Sequence, residues 1–167
     1  CGADYVILGH SERRAKFKEN GKCINKKIKI ALKNRLKVIF CIGESLTEKN
    51  LQKTAEVLKV QLEDGLKGLY ENELDNIVIA YEPIWAIGSG KVPTVKEIEG
   101  CAKIIRKVVE NDFSKKAAEK IEIVYGGSVD NKNCASISKI KELSGLLVGG
   151  ACLDPINFSQ LVKDVKN

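Results

Sequence analysis

The 167 residues predict an α/β protein in which parallel strands alternate with helices. Short β-branched runs recur along the chain. They are nearly continuous in apolar residues instead of alternating, as strands covered on both faces are, and amphipathic helical patterns lie between them. The runs occupy residues 5–8 (YVIL), 37–42 (KVIFCI), 76–81 (NIVIAY), 121–126 (IEIVYG) and 145–149 (GLLVG).

The helices follow in order. After the first strand, Ser-Glu-Arg at 11–13 opens a helix in cap-like fashion. Residues 22–35 place Cys23, Ile24, Ile28, Ala31 and Leu32 three and four apart, with lysines on the other face. Residues 51–69 repeat the device with Leu51, Ala55, Leu58, Leu62 and Leu66, and 64–68 read as the fraying end. Thr94 followed by Glu97 forms a capping box that opens a helix over 95–111. Pro155 sits in the first turn of a last helix over 155–165. No Gly/Ser-rich linker or low-complexity break interrupts the array, so residues 1–167 are expected to form a single domain.

Such a βα array permits an open doubly wound sheet or a closed (β/α)8 barrel. Five strands can complete the former and cannot close the latter. The strand ends help to choose. Gly9-His10-Ser11-Glu12, Gly43-Glu44, Glu82, Gly126-Gly127-Ser128 and Gly149-Gly150 each follow a strand. An open sheet has one switch-point crevice and needs special residues at two or three strand ends. Five furnished ends favour a barrel mouth, where all strands face one site.

Composition narrows the function classes. The chain is 44% hydrophobic and 30% charged, ordinary for a globular protein. No apolar run approaches the roughly 18–20 residues of a membrane span, and the N-terminus lacks the order of a signal peptide, so a cytoplasmic protein without membrane contact is expected. The net charge of +6 comes from lysines scattered over the helical segments, and aromatics are only 5%, which argues against nucleic acid. Six widely spaced cysteines (1, 23, 41, 101, 134 and 152) and a single His argue for reduced thiols and against a metal site. Because the chain contains no Met, it is expected to be a piece of a longer protein.

The strand ends also suggest a chemistry. YGGSV (125–129) and VGGAC (148–152) put paired glycines directly after the last two strands, where backbone N–H groups can approach a phosphate. His10 follows a strand-ending Gly and precedes a helix, whose positive end favours a neutral ring able to donate a hydrogen bond. Glu82 sits among Tyr81, Pro83, Ile84 and Trp85, company that would desolvate it and make it a stronger base. Pro83 and Pro93 bracket a segment containing Gly88 and Gly90, which reads as an apolar lid able to exclude water.

Five motifs in register, GHSERR (9–14), CIGE (41–44), AYEPIWAIGSGKVPT (80–94), YGGSV (125–129) and LVGGACL (147–153), resemble the triosephosphate isomerase family along the whole chain. The resemblance implies a cofactor-free interconversion of dihydroxyacetone phosphate and D-glyceraldehyde 3-phosphate through an enediolate, on a (β/α)8 TIM barrel. This chain would supply the C-terminal five βα units (β4 to α8) of that barrel, and the parent would be a homodimer. By matching motifs, Glu82 is the proton-shuttling base, His10 the neutral electrophile and Glu12 a supporting carboxylate. Gly88, Ser128, Gly149 and Gly150 match the phosphate-gripping groups. That family is itself the standard illustration of a Glu base beside a neutral His and of lid closure, so these roles rest on the resemblance. Ser89 stands where the family has Thr in the lid, and Cys152 where Ser is common. The family's first three βα units, with the loop carrying an essential lysine, have no counterpart. The isolated chain is therefore expected to turn nothing over. The alternative to an isomerase is an inactive half-barrel that at most binds phosphate or self-associates.

Overall fold

The computed structural model describes residues 2–166; Cys1, one of the six cysteines, lies outside the described residues. Five strands form one parallel sheet: β1 (Tyr5–Leu8), β2 (Lys37–Ile42), β3 (Ile77–Tyr81), β4 (Glu122–Tyr125) and β5 (Gly145–Leu146). Their order across the sheet is the order along the chain, β1-β2-β3-β4-β5. A doubly wound sheet reverses its order at the switch point, and this sheet contains no reversal. With right-handed crossovers, unreversed order places every connecting helix on one face.

The connections carry helices throughout. α1 (Ser11–Phe17) and α2 (Gly21–Lys33) follow β1, α3 (Leu46–Asn50) and α4 (Thr54–Leu66) follow β2, and α5 (Val95–Asp112) and α6 (Lys115–Lys120) follow β3. α7 (Cys134–Ser138) follows β4, and α8 (Pro155–Lys166) follows β5. Capping chemistry sets several starts: Asn20 accepts the N–H of Cys23, and Thr94 and Glu97 exchange the reciprocal bonds of the capping box.

Strand alternation divides the sheet into two faces. Leu8, Phe40, Ile79 and Ile123 are laterally paired, as are Ile42, Tyr81 and Tyr125. These rows pack against Ile24, Ile28, Leu58, Leu62, Ile98 and Ile105 from the helices to make the core. The opposite face carries Ile7, Ile39 and Val78 in one row and the smaller Cys41, Ala80 and Gly145, with Val124, in the next. Ile7 is 45% exposed there.

Three helical expectations need correction. The helix expected over 51–69 is the shorter α4, Thr54–Leu66, because Gln52 takes a left-handed φ of 56° that no α-helix accommodates; the short α3 that ends at Asn50, just before this turn, was not foreseen. Leu51, expected on the apolar face, falls in that turn and is exposed. α6 and α7 were not foreseen, since neither short segment shows a sustained period. Cys23, Cys41, Cys101, Cys134 and Cys152 are all free thiols, with Cys41, Cys101 and Cys134 buried.

Candidate active site

Glu82 and His10 meet at the carboxyl end of the sheet. Glu82 follows β3, and its backbone N–H continues the ladder to the carbonyl of Ile42 at 2.8 Å. By strand parity its side chain leaves the sheet on the same face as Ala80, beside Cys41 and Gly126. These small neighbours leave room for a carboxylate that is only 2% exposed. His10 leaves β1 through Gly9, whose φ of 75° turns the chain and whose missing Cβ would otherwise strike the Cys41 carbonyl. The imidazole caps α1: its Nδ1 accepts the N–H of Glu12 at 3.3 Å. An accepting Nδ1 leaves the ring proton on Nε2, and Nε2 lies 3.3 Å from Glu82 Oε1.

The other contacts of Glu82 define which oxygen can work. Oε1 accepts the Ser11 hydroxyl at 2.8 Å and the Ser11 N–H at 3.3 Å. Oε2 is buried and has no partner among the described residues. One oxygen is thus anchored while the other keeps its lone pairs, the condition a general base requires. Arg14 stabilises the surrounding strand ends, donating to the Gly9 carbonyl at 2.6 Å and the Cys41 carbonyl at 3.0 Å. Burial lowers the pKa of its guanidinium, and nearby carboxylates, Glu82 among them, oppose that shift. The Cys41 thiol is pushed far up by burial and then by the charge of Glu82, so it stays neutral.

A second buried carboxylate organises the start of the segment between Pro83 and Pro93. Glu44, 1% exposed, accepts the Tyr81 hydroxyl at 3.2 Å and the indole N–H of Trp85 at 2.8 Å, and its carbonyl accepts the N–H of Ile84. Burial drives the Tyr81 phenol strongly upward, so it remains the donor. Gly43, next to Glu44, allows the closest approach in the site: a Cβ there would overlap the Glu82 carbonyl. Gln61 clamps the same residue by accepting its N–H and donating to its carbonyl.

The remaining sequence-predicted residues sit apart from this pair. Gly88 is exposed midway along the segment expected to act as a lid, with open space around it, and the internal bonds of that segment run from the Ser89 hydroxyl to the Trp85 carbonyl and from the Lys91 N–H to Ser89 Oγ. Ser128 is half-buried and uses its carbonyl to hold Asn133. Gly149 and Gly150 are exposed at the start of a 3₁₀ turn. Among the described residues no hydrogen bond joins the lid to either glycine loop. The carboxylate of Glu12 points to solvent and pairs with Lys16 at 3.6 Å; only its backbone N–H reaches the site, at His10.

Ser11 and Glu44 were missed as contributors. Each carried a weak signal: Ser11 in the cap-like position after His10, and Glu44 directly after a strand-ending glycine. Their partners, 71 and 41 residues away, leave no local pattern to read.

Fold and site together define an α/β protein of parallel βα units that gathers a carboxylate, an imidazole, the proline-bracketed 83–93 segment and two glycine loops at the strand carboxyl ends. Residues 1–165 match the family model described as triosephosphate isomerase. The chain is 48% identical over 163 residues to the triosephosphate isomerase of Thermodesulfovibrio yellowstonii, which covers 98% of this chain and 65% of that relative. It is 47% identical over 162 residues to that of Geobacter metallireducens (97% and 64%) and 47% identical over 152 residues to that of Emericella nidulans (91% and 61%). The chain belongs to the triosephosphate isomerase family. It spans slightly less than two thirds of the length of these curated relatives. No helix among the described residues is long and apolar enough to cross a membrane.

Proposed function

We propose that the full-length parent of this chain interconverts dihydroxyacetone phosphate and D-glyceraldehyde 3-phosphate. The observation that carries the reading is the Glu82–His10 pair: a buried carboxylate with one unpartnered oxygen, 3.3 Å from an imidazole Nε2 that holds its proton. Glu82 Oε2 takes a proton from the carbon next to the substrate carbonyl, and the electron pair moves to the carbonyl oxygen. His10 Nε2–H donates a hydrogen bond to that oxygen and stabilises the enediolate. Glu82 then returns the proton to the neighbouring carbon, so the reaction is a net proton shift that consumes nothing. Gly88, Ser128, Gly149 and Gly150 grip the phosphate once the lid closes over it. Closure dries the site, strengthens these electrostatic contacts and keeps the intermediate from eliminating its phosphate. Glu12 supports the site from α1, through its backbone N–H to His10.

In this reading residues 1–167 are one domain, the last five βα units of a TIM barrel, and the unreversed strand order supports it. The parent works in the cytoplasm as a homodimer, needs no cofactor and binds neither nucleic acid nor membrane. The chain by itself is inactive: its outer strands leave backbone unpaired, and none of its lysines sits in a motif matching the family's essential lysine. In the full-length parent, Glu82→Ala should lower turnover by about 10²–10⁴-fold, the usual worth of a positioned general base. A near-normal rate would sink the assignment. The 167-residue chain should show no isomerisation; robust activity of the purified chain would overturn that part.

A further inference from the structure

The two ends of the lid are joined by a single side chain. At its first end, Trp85 lies with its indole N–H on Glu44. Five residues after Glu44, in the last turn of α3, Lys49 lays its ammonium 3.7 Å from the centre of the Trp85 ring. The same ammonium donates to Glu97 Oε1 at 2.8 Å. The other oxygen of Glu97 accepts the N–H and hydroxyl of Thr94, at 2.7 and 2.8 Å, in the capping box that starts α5 directly after Pro93. Indole, ammonium, carboxylate and Thr94 thus make an unbroken chain of contacts from residue 85 to residue 94, spanning the lid from outside.

We propose that Lys49 is a positioning residue that couples the two hinges of the lid, so that Trp85 cannot swing free of α3 without loosening the Thr94–Glu97 start of α5. The inference rests on reading the 83–93 segment as a lid. A cation over an aromatic face is attracted by the ring quadrupole, and here the cation is held in place by a carboxylate on the far side. Glu44 fixes the indole edge while Lys49 fixes its face, which restricts both tilt and translation of the ring. Removing the charge on Lys49 removes the facial restraint and leaves the edge bond.

Trp85 is the chain's only tryptophan, so its fluorescence reports this hinge alone. We expect Lys49→Met to raise acrylamide quenching of Trp85 about twofold and to lower its anisotropy, in line with the modest worth of a partly exposed cation–π contact. Lys49→Arg should restore the wild-type values. Glu97→Gln should move quenching in the same direction as Lys49→Met although Glu97 makes no hydrogen bond to Trp85, and the double variant should match Lys49→Met alone. Circular dichroism establishes that each variant is folded. Wild-type quenching in folded Lys49→Met, or a Glu97→Gln effect that persists undiminished in the Lys49→Met background, overturns the coupling. If Lys49→Met fails to fold, Glu97→Gln decides: unchanged quenching overturns the coupling, and an increase supports it. None of these readings needs turnover, so failure of the tether and failure of the isomerase reading, which Glu82→Ala tests in the parent, are separately visible.

Discussion

The Glu82–His10 pair and the exposed glycine-bearing loops stand at the same end of the sheet but are built on different terms. Around Glu82 all but one oxygen is held: Ser11 anchors Oε1, His10 faces it, Arg14 ties the neighbouring strand ends together, Gly43 lets the backbone close in, and Oε2 alone has no partner among the described residues. Around Gly88, Ser128, Gly149 and Gly150 the chain is exposed or half-exposed and bonded only to itself. On the proposed reading, the contrast teaches that groups meant to handle a proton are held by the sheet before any ligand arrives, whereas groups meant to grip an anion sit on exposed loops with few contacts. Pre-organisation matters most where reacting atoms must align, and mobility matters most where water must be shut out.

That contrast is broken most severely at Gly43. A Cβ there collides with the Glu82 carbonyl, which is backbone and cannot step aside. We expect Gly43→Ala to destabilise the chain by about 3 kcal/mol, at the upper end of ordinary overpacking costs, measured by urea denaturation. An effect near zero would mean that the strand ends are looser than the contacts imply. Next comes Tyr81→Phe, which removes a donor from the buried Glu44 while Trp85 remains. The expected cost is about 1–2 kcal/mol, the penalty for leaving a buried acceptor short of a partner.

A smaller effect sharpens the comparison at the lid's second end. Glu97 is held down to about 2 from an ordinary 4.5, chiefly by the hydrogen bond from Lys49 and then by that from the Thr94 backbone. A carboxyl whose pKa is depressed on folding contributes stability above its unfolded value and loses it as pH falls through the folded one. The melting temperatures of wild type and Glu97→Gln should therefore differ above pH 4.5 and converge as pH falls toward about 2. The difference is small because the carboxylate is largely in water. The smallest effect belongs to the glycine loops. Ser128→Ala should change stability by less than about 0.5 kcal/mol, while weakening the binding of a glycolate phosphate mimic of the enediolate to the full-length parent. A large loss of stability would move Ser128 from the loosely bonded half of the site to the tightly bonded one.

Much of this was legible in the residues. The five apolar runs became five strands with bounds shifted by at most a few residues, because a strand covered on both faces needs a nearly unbroken apolar run and this chain has five. His10 and Glu82 were visible because polar residues directly after such runs must stand at the sheet's end. The break at Gln52 was not legible, since a left-handed residue other than Gly or Asn leaves no compositional mark. Nor was the division of labour inside GHSE, where the Ser11 side chain and the Glu12 backbone N–H do the local work while the Glu12 carboxylate turns to Lys16.

By itself the sequence determined the five strands with their longer helices, the family, and the placing of His10 and Glu82 at the strand ends, because these follow from local periodicity and from motifs a few residues long. Only the tertiary structure decided that the strands lie in unreversed order, that Oε1 rather than Oε2 of Glu82 is anchored, and that Lys49 reaches both ends of the lid. Those are contacts between residues tens of positions apart. They are set by how the strands register and how the helices pack across them, and no stretch of chain carries that information alone.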